Sequence, residues 1–334
     1  MKLATYKDGS RDGQLIVVSR DLQSAHYATG IASRLQQVLD DWNFLSPQLQ
    51  DLYDAVNNGR ARHIFPFDAR QCMAPLPRAY QWLDGTAYPS HLELLREASG
   101  IDAPENQLTE PLMHQGGSDD FLGPRADIAG MRPEWWPDFE AKLAVVTGDV
   151  PMACAPETAL ESVRLLMLAN GISLRGLIPD ELARGFGFLR GKPATAFSPV
   201  AVTPDELGDA WRQGRIHLTL QTSWNGRKVG LCDTAADMRF HFGQLIAHAA
   251  TTRRLRAGTI VGSGVVSNPA IESGNRREWP KGYNCIAEKR AMEIIQDGEA
   301  KTGYLKAGDT LRIEMKGKGG EALFGAIEQE VTGS

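Results

Sequence analysis

An acidic and a basic side chain lie two residues apart in the segment DFEAKLAVV, residues 138–146. The segment predicts a β-strand, whose period of two places Glu140 and Lys142 on one face. Two carboxylates at this spacing would suit a divalent metal ion, which takes oxygen ligands. A carboxylate beside an ammonium group instead predicts an ion pair, which contributes little on a solvated strand. Taken alone, the segment is compatible both with an altered metal site and with an ordinary surface strand.

Three further segments contain residues suited to acid–base or anion chemistry. YQWLDGTAYPSH has Asp84 and His91 on either side of a glycine turn, and LANGISLRGLI has Arg175. GYNCIAEKRAMEII places Glu288 near the start of a predicted helix, where a carboxylate complements the helix dipole. Each segment alone is equally typical of a loop or of an ordinary helix start. A function follows only if these segments belong to one site.

The bulk composition narrows the class of partner. The chain has 334 residues, 42% of them hydrophobic, and a formal net charge of −5 without a long run of Lys or Arg. This balance argues against nucleic acid or an anionic membrane as a partner. A protein that handles a small molecule is therefore expected.

The cysteines and the apolar segments indicate the compartment. Four cysteines are scattered without a CxxC spacing, so neither a zinc site nor a disulfide framework is predicted. The polar N-terminal segment has no apolar core of a signal peptide, and no apolar run reaches 18 residues. We therefore expect a cytoplasmic protein.

Residues 1–73 are predicted to form a small N-terminal α/β domain. KLATYKD and GQLIVVSRD flank a DGSRDG turn and predict a hairpin. IASRLQQVLDDW and SPQLQDLYDAVNNG predict two amphipathic helices, the second with Pro47 in its first turn and Gly59 beyond its end. A proline-rich stretch then leads into the remainder of the chain.

Residues 74–334 are predicted to form a β-rich mixed domain. Short apolar runs alternate with Gly and Pro turns, and only a few helices intervene. TPDELGDAWRQG, residues 203–214, predicts one of these helices, with a cap at Thr203, a capping box closed by Glu206 and a stop at Gly214. SHLELLREASG and HFGQLIAHAATT predict two more. ETALESVRLLMLANG fits either a single helix or a helix followed by a buried strand.

Together the segments resemble the fumarylacetoacetate hydrolase family, in particular its bacterial branch with a small N-terminal domain of its own. The resemblance lies in LPRAYQWLDGTAYPSH, EPLMHQGGSDDFLGP, DFEAKLAVVTGDVPM, AGTIVGSGVVSN, CIAEKRA and FGAIEQEV, in family order. It implies an α+β fold with a mixed β-roll catalytic domain, usually a homodimer. It also implies magnesium- or calcium-assisted hydrolysis of a carbon–carbon bond in a β-diketo or acylpyruvate acid.

The resemblance implies four carboxylate metal ligands, of which this chain retains two. Asp84 and Glu140 match the family pattern, whereas Lys142 replaces the second glutamate and Gly171 replaces the last aspartate. At about 4 Å and an effective dielectric near 20, the repulsion between Lys142 and a divalent ion is on the order of 8 kcal/mol. We therefore expect no tightly bound ion, with Mg²⁺ or Ca²⁺ binding only if the remnant site still functions.

The proton-handling residues of the family are retained. His91 matches the catalytic base, and Glu288 matches the acid that orients it. Arg175 and Lys192 match the cations that bind the substrate carboxylate and the oxyanion. With Lys142, these residues make up the expected catalytic set.

Two substrate contacts differ from the family pattern. His114 replaces an expected tyrosine, and Val265 replaces an expected threonine, which removes a hydroxyl donor. Thr86 is assigned to the same substrate-binding surface. A keto acid or diketone is the expected ligand, although its identity is not predicted.

Three functions stay open. The family default is hydrolysis, in which His91 activates water and the cations stabilise an enolate. The same base and electron sink could instead support a metal-independent decarboxylase, tautomerase, hydratase or cyclase. A non-catalytic paralogue that only binds a ligand is the third reading.

Overall fold

The computed structural model describes residues 1–102, 106–274 and 276–333. In these ranges the chain is a β-rich α+β protein with a small N-terminal domain, as the sequence predicts. The strands are β1 (Lys2–Tyr6), β2 (Gln14–Val18), β3 (Ser24–Tyr27), β4 (Phe65–Pro66), β5 (Trp82–Gly85), β6 (Met113–Gly116), β7 (Pro137–Asp138), β8 (Ala141–Thr147), β9 (Val163–Asn170), β10 (Ser173–Leu174), β11 (Ala196–Phe197), β12 (Ala201–Val202), β13 (Trp211–Arg212), β14 (Arg215–Ile216), β15 (Thr219–Trp224), β16 (Arg227–Asp233), β17 (Ile260–Val265), β18 (Ile271–Ser273), β19 (Arg276–Glu278), β20 (Thr310–Lys316) and β21 (Ala322–Glu330). The helices are α1 (Leu35–Asp40), α2 (Trp42–Asn57), α3 (Pro89–Ser99), α4 (Pro156–Glu161), α5 (Ile178–Ala183), α6 (Phe242–Ala249) and α7 (Ile286–Asp297).

One mixed sheet runs through both domains. Its strand order is β4-β3-β2-β1-β12-β9-β8-β17-β5-β6, with β11 paired to β9. The N-terminal hairpin joins the larger domain where β1 pairs antiparallel with β12. Strand β8 lies inside this sheet, and all seven of its residues are buried. Its polar side chain at position 142 is therefore buried as well.

A second sheet and a helix pair complete the larger domain. The sheet has the order β16-β15-β20-β21. Helices α3 and α7 pack together around Leu94, Ala291 and Met292. No helix in the described ranges is long and apolar enough to cross a bilayer.

Most predicted elements are confirmed. The hairpin is β1 and β2, and helix α3 ends at Gly100, whose φ of 64° suits glycine. The ambiguous segment is a short helix, α4, followed by the buried strand β9. Pro47 lies inside α2 and not in its first turn, because that helix already begins at Trp42.

The prediction of a helix over residues 203–214 is wrong. A 3₁₀ segment, Pro204–Ala210, is followed by the hairpin of β13 and β14. Gln213 and Gly214 both have positive φ and form the tight turn of this hairpin, so Gly214 is a turn residue and not a helix stop. The carboxylate expected to close a capping box, Glu206, instead accepts a hydrogen bond from Tyr53 at 2.8 Å.

Candidate active site

The ammonium group of Lys142 lies between two carboxylates. Asp84 Oδ2, from β5, contacts Lys142 Nζ, and Glu140 Oε2, just before β8, lies 2.6 Å from it. All three side chains are at most 3% exposed. Burial disfavours the charged amine, but the two carboxylates outweigh it and raise the pKa of Lys142 above its ordinary value. Lys142 is therefore a fixed internal cation.

Glu140 is the centre of the polar cluster. Lys192 Nζ lies 2.9 Å from both of its carboxylate oxygens, and Arg175 donates to Oε1 at 2.7 Å. The Ser173 hydroxyl also donates to Oε1, at 2.6 Å. Burial opposes ionisation, but Lys142, Lys192 and Arg175 hold the pKa of Glu140 well below its ordinary value. The carboxylate is therefore ionised and fully bonded.

A second buried acid, Asp138, connects the cluster to helix α7. Arg175 Nε donates to Asp138 Oδ2 at 3.0 Å. The backbone N–H groups of Ile286 and Ala287, in the first turn of α7, donate to the same carboxylate at 2.6 and 3.1 Å. Asp138 therefore fixes the Arg175 guanidinium against the helix start.

Backbone geometry holds Asp84 in place. Strand β5 pairs in parallel with β17, and the Gly264 N–H donates to Asp84 Oδ1 at 3.0 Å. Gly264 has a φ of 72°, and a Cβ there would lie 2.3 Å from the Gly85 carbonyl oxygen. Only glycine fits this position, so the close approach that orients Asp84 depends on it.

The second half of the site is a histidine–glutamate pair. His91 is the third residue of α3 and Glu288 the third of α7, so the packed helices bring the two side chains together. His91 Nδ1 lies 2.9 Å from Glu288 Oε1, and the Asn284 N–H donates to Oε2 at 2.9 Å. In the tautomer whose Nδ1–H donates to Glu288 Oε1, Nε2 is the nitrogen with a free lone pair.

Cys285 lies beside this pair. Its Sγ caps α7 by accepting the Glu288 N–H at 3.4 Å, and ligand atoms of Cys285, His91 and Glu288 lie within 4.8 Å of one another. Such a group could hold a metal ion. However, burial and the charge of Glu288 raise the pKa of the Cys285 thiol well above its ordinary value, which disfavours the thiolate that a metal requires. The geometry is that of a helix cap beside a hydrogen-bonded base.

His114 lies next to the cluster. It is opposite Asp84 in the β5–β6 pairing, and its ring meets the Phe188 ring edge-on at 5.1 Å between centroids. Burial, together with the charges of Lys192 and Lys142, outweighs Asp84 and lowers the pKa of His114 to about 4. The imidazole is therefore neutral at pH 7.

The two remaining predicted contacts flank the cluster. Val265 pairs with Lys142 across β17 and β8 and is 4% exposed. Thr86 is half-buried just after β5, and its N–H donates to the Leu112 carbonyl at 2.9 Å. In the described ranges no side-chain hydrogen bond involves Thr86, so its hydroxyl is not fixed by the fold.

The absence of a side chain at Gly171 leaves room for the amine of Lys142. A Cβ at position 171 would lie 2.8 Å from both Cε and Nζ of Lys142, which two carboxylates hold in place. An aspartate at 171 would therefore collide with Lys142. The two departures from the family pattern depend on each other.

Asp138 was not among the predicted site residues. The signal was in the opening segment, because a period of two places residue 138 on the same face as Glu140 and Lys142. Its contacts with helix α7 depend on a chain segment about 150 residues away, which strand periodicity does not predict.

Comparison with known sequences gives two matches that together span most of the chain. Residues 81–332 match the profile described as fumarylacetoacetate (FAA) hydrolase C-terminal, and residues 1–78 match fumarylacetoacetase N-terminal domain 2. A curated relative, 2,4-didehydro-3-deoxy-L-rhamnonate hydrolase from Sphingomonas sp. (strain SKA58), is 28% identical over 211 residues. That alignment spans 62% of this chain and 62% of the relative.

Solved structures share the fold over the whole chain. A probable 2-hydroxyhepta-2,4-diene-1,7-dioate isomerase from Mycobacterium abscessus has a TM-score of 0.66 at 19% identity, covering 100% of this chain and 99% of that one. Maleylpyruvate hydrolase from Sphingobium sp. SYK-6, in complex with manganese(II) and pyruvate, has a TM-score of 0.64 at 16% identity, covering 100% of both chains. At these identities the likeness establishes the fold alone.

Proposed function

Because this chain belongs to the fumarylacetoacetate hydrolase family, we propose that it hydrolyses a carbon–carbon bond in an acylpyruvate-type keto acid. The family includes hydrolases, and isomerases share its fold. The observation that carries the proposal is the His91–Glu288 pair at 2.9 Å, next to a cluster of three cations. A base beside an electron sink is the arrangement this cleavage requires.

We further propose that the Lys142 ammonium group takes the place of a divalent ion. Its Nζ occupies the space between Asp84 and Glu140, the two remaining carboxylates of the family's metal site. Gly171 supplies no carboxylate either. As long as the Lys142 ammonium group lies between Asp84 and Glu140, the residues present do not fit a divalent ion. A repulsion on the order of 8 kcal/mol at about 4 Å supports the same conclusion.

The balance of charge supports this proposal. Three cations, Lys142, Lys192 and Arg175, contact three carboxylates, Asp84, Glu140 and Asp138. The cluster is therefore close to neutral, and no excess negative charge attracts a further cation. A family site with four carboxylates would need the ion to reach the same balance.

The proposed hydrolysis then uses only side chains of this protein. The Arg175 guanidinium donates from Nε and one terminal nitrogen to Asp138 and Glu140, which leaves N–H groups for a substrate carboxylate. His91 Nε2 removes a proton from water, which attacks the acyl carbon. The enolate that leaves is stabilised by the Lys192 and Lys142 ammonium groups.

A hydrolysis assay tests the proposal. Acylpyruvates absorb strongly in the ultraviolet, and cleavage removes this chromophore. We expect the absorbance to fall, with pyruvate released, at the same rate before and after EDTA treatment. Loss of activity in EDTA with recovery on adding Mg²⁺ would refute the metal-free site, whereas no cleavage of any acylpyruvate would refute the hydrolase.

A repurposed carbonyl reaction is the second candidate. The charge-balanced cluster still offers a base and an electron sink, which suffice for isomerisation, decarboxylation, hydration or cyclisation without attack by water. In that case the same assay would show an altered spectrum without pyruvate. A protein that only binds ligand would instead show a melting shift and no product.

The remaining expectations are also proposals. The family resemblance supports a homodimer, and the net charge of −5 supports a small-molecule ligand over nucleic acid or membrane. The scattered cysteines, all four of them free, support a reducing compartment such as the cytoplasm.

A further inference from the structure

One closed loop carries two of the three cations of the cluster. Arg175 begins the loop and Lys192 ends it, with helix α5 in between. The Leu174 N–H donates to the Gly191 carbonyl at 2.9 Å, which joins the two ends. The contacts that hold this loop therefore decide where both cations lie.

The outer part of the loop gains little from apolar packing. Leu182, Phe186 and Leu189 are 53%, 99% and 82% exposed. Gly185 and Gly187, on either side of Phe186, have φ values of 79° and 81°, which glycine adopts without strain. A segment with few buried apolar contacts has low local stability. Polar contacts must therefore fix this part of the chain.

The Glu181 carboxylate, from α5, supplies these contacts. It accepts the backbone N–H groups of Leu189 at 3.0 Å, Arg190 at 2.7 Å and Gly191 at 3.0 Å. Its side chain is 9% exposed. Burial opposes ionisation, but the three N–H groups outweigh it and hold the pKa of Glu181 below its ordinary value. One ionised carboxylate therefore binds three consecutive N–H groups of the loop.

Residues 189–191 lie between two side chains that touch the site. On one side, the Phe188 ring lies 5.1 Å from the His114 ring and 5.8 Å from Lys192 Nζ, measured from its centroid. On the other side, Lys192 follows directly, with Nζ 2.9 Å from both carboxylate oxygens of Glu140. A shift of residues 189–191 would therefore displace both side chains.

The other end of the loop has supports of its own. The Arg175 N–H donates to the Trp136 carbonyl at 3.1 Å, and the Gly176 N–H donates to the Trp135 carbonyl at 2.9 Å. Loss of the Glu181 carboxylate should therefore release the lysine end of the loop and leave the arginine end in place.

We propose that Glu181 is a positioning residue, whose carboxylate holds residues 189–191 so that Lys192 and Phe188 stay at the substrate. The inference rests on the proposed function for the identity of that substrate. It adds the residue that keeps the enolate-stabilising ammonium group in place. Glu181 acts through the backbone and does not itself contact the substrate.

Amide exchange of Glu181→Gln tests the contacts themselves. Glutamine has a similar shape, but it carries no charge and its NH₂ group would face backbone donors. Hydrogen–deuterium exchange should be about tenfold faster at residues 189–191, because a hydrogen bond to a charged acceptor commonly contributes at least that factor. Asp180→Asn, which removes the neighbouring exposed carboxylate of the same helix, should exchange as the parent does. An unchanged exchange rate in Glu181→Gln would overturn the proposal.

Chemical labelling measures the position of Lys192 without turnover. In the parent, Nζ is enclosed by Glu140 and by the Ser173 hydroxyl at 2.6 Å, so acetic anhydride should acetylate it slowly. In Glu181→Gln the labelling should be several-fold faster, as located by peptide mass mapping, while the exposed Lys318 reacts equally in both proteins. Faster amide exchange with unchanged labelling of Lys192 would also overturn the proposal.

A second variant disturbs the same contacts and keeps the carboxylate. A Cβ at Gly191 would lie 3.0 Å from Glu181 Oε2 and 2.9 Å from Ile178 Cγ1, so Gly191→Ala must push the two apart. We expect faster exchange and faster labelling here too, and unchanged values of both would count against the proposal even if Glu181→Gln does not fold.

A double-mutant cycle separates positioning from a general loss of structure. Glu181→Gln should lower kcat for an acylpyruvate about tenfold in the parent and much less in a Lys192→Met background, because its effect passes through that lysine. Equal losses in both backgrounds would overturn the proposal. If the parent cleaves no acylpyruvate, the proposed hydrolysis fails, while exchange and labelling still decide whether Glu181 holds Lys192.

Discussion

The two halves of the candidate site are built differently. The cation cluster lies on strand β8 and the residues around it, where every described charge is paired and nearly every side chain is fixed by several contacts. The His91–Glu288 pair lies at the starts of two packed helices, and in the described residues the His91 ring makes one side-chain hydrogen bond, to Glu288. The first half is rigid and charge-balanced, while the second presents a basic nitrogen.

The two halves therefore differ in whether their key group can be replaced by another. A buried cation can come from a side chain or from an ion, provided that the charges around it balance. The base has no such substitute, because its nitrogen must accept a proton near neutral pH. The comparison therefore predicts that removing the base affects turnover alone, whereas changes in the cluster also affect stability and substrate binding.

The largest effect is expected from removing the base. His91→Ala should lower kcat by about 10²–10⁴-fold, the range that general-base catalysis commonly contributes. Steady-state assays on an acylpyruvate measure this, with the exposed His63→Ala as control. Turnover by His91→Ala at the parent rate would show that the base is elsewhere.

The next largest effect is on stability. Lys142→Met leaves Asp84 and Glu140 as like charges without their shared cation, so the free energy of unfolding should fall by about 3–5 kcal/mol. Urea denaturation measures it. The control is Lys301→Met, which removes an exposed pair with Asp297 and should cost less than about 1 kcal/mol. Equal losses of unfolding free energy in the two variants would mean that the contacts of Lys142 do not stabilise the fold more than an exposed ion pair does.

A smaller effect on binding is expected at Arg175. Arg175→Lys keeps a positive charge but loses the planar guanidinium that contacts Asp138 and Glu140, the group that we propose binds the substrate carboxylate. We expect KM to rise about tenfold, or about 1.4 kcal/mol, with a smaller change in kcat. Arg70→Lys, at an exposed ion pair, is the control. An unchanged KM would remove Arg175 from the carboxylate site.

The smallest effect concerns pH. Because the pKa of His114 is lowered to about 4 in the fold, the unfolded chain binds more protons between pH 6.5 and 4. Stability therefore falls as the pH is lowered through this window. Full burial would make this loss about 3 kcal/mol. Because His114 is only half-buried, solvent screening reduces the effect, and His114→Gln should lower the loss by about 1 kcal/mol, as measured by denaturation at pH 4 and 7. An identical pH dependence in both proteins would show that the fold does not favour the neutral form of His114.

Sequence reasoning reached the fold class, and the candidate residues that it named lie close together in the structure, for a physical reason. Strand periodicity placed Glu140 and Lys142 on one face, and the contact at 2.6 Å follows from it. The failures were long-range. The 203–214 segment has good helix caps, but pairing of β13 with β14 outweighed them, and the link from Asp138 to the start of α7 depends on tertiary packing.

The substrate is the part that sequence reasoning does not reach. Side chains such as Phe188 and His114 are set beside Lys192 by a loop and an edge strand, whose geometry local pattern does not determine. The mutual dependence of Lys142 and Gly171 likewise rests on a 2.8 Å separation that local pattern does not determine.

Calorimetric titration of the EDTA-treated protein with Mg²⁺, Ca²⁺ and Mn²⁺ tests the internal cation most directly. The double variant Lys142→Glu with Gly171→Asp, which restores two carboxylates and removes the amine, is titrated beside it. We predict no micromolar binding by the parent and micromolar binding by the double variant. Micromolar binding of any of the three ions by the parent would contradict the account.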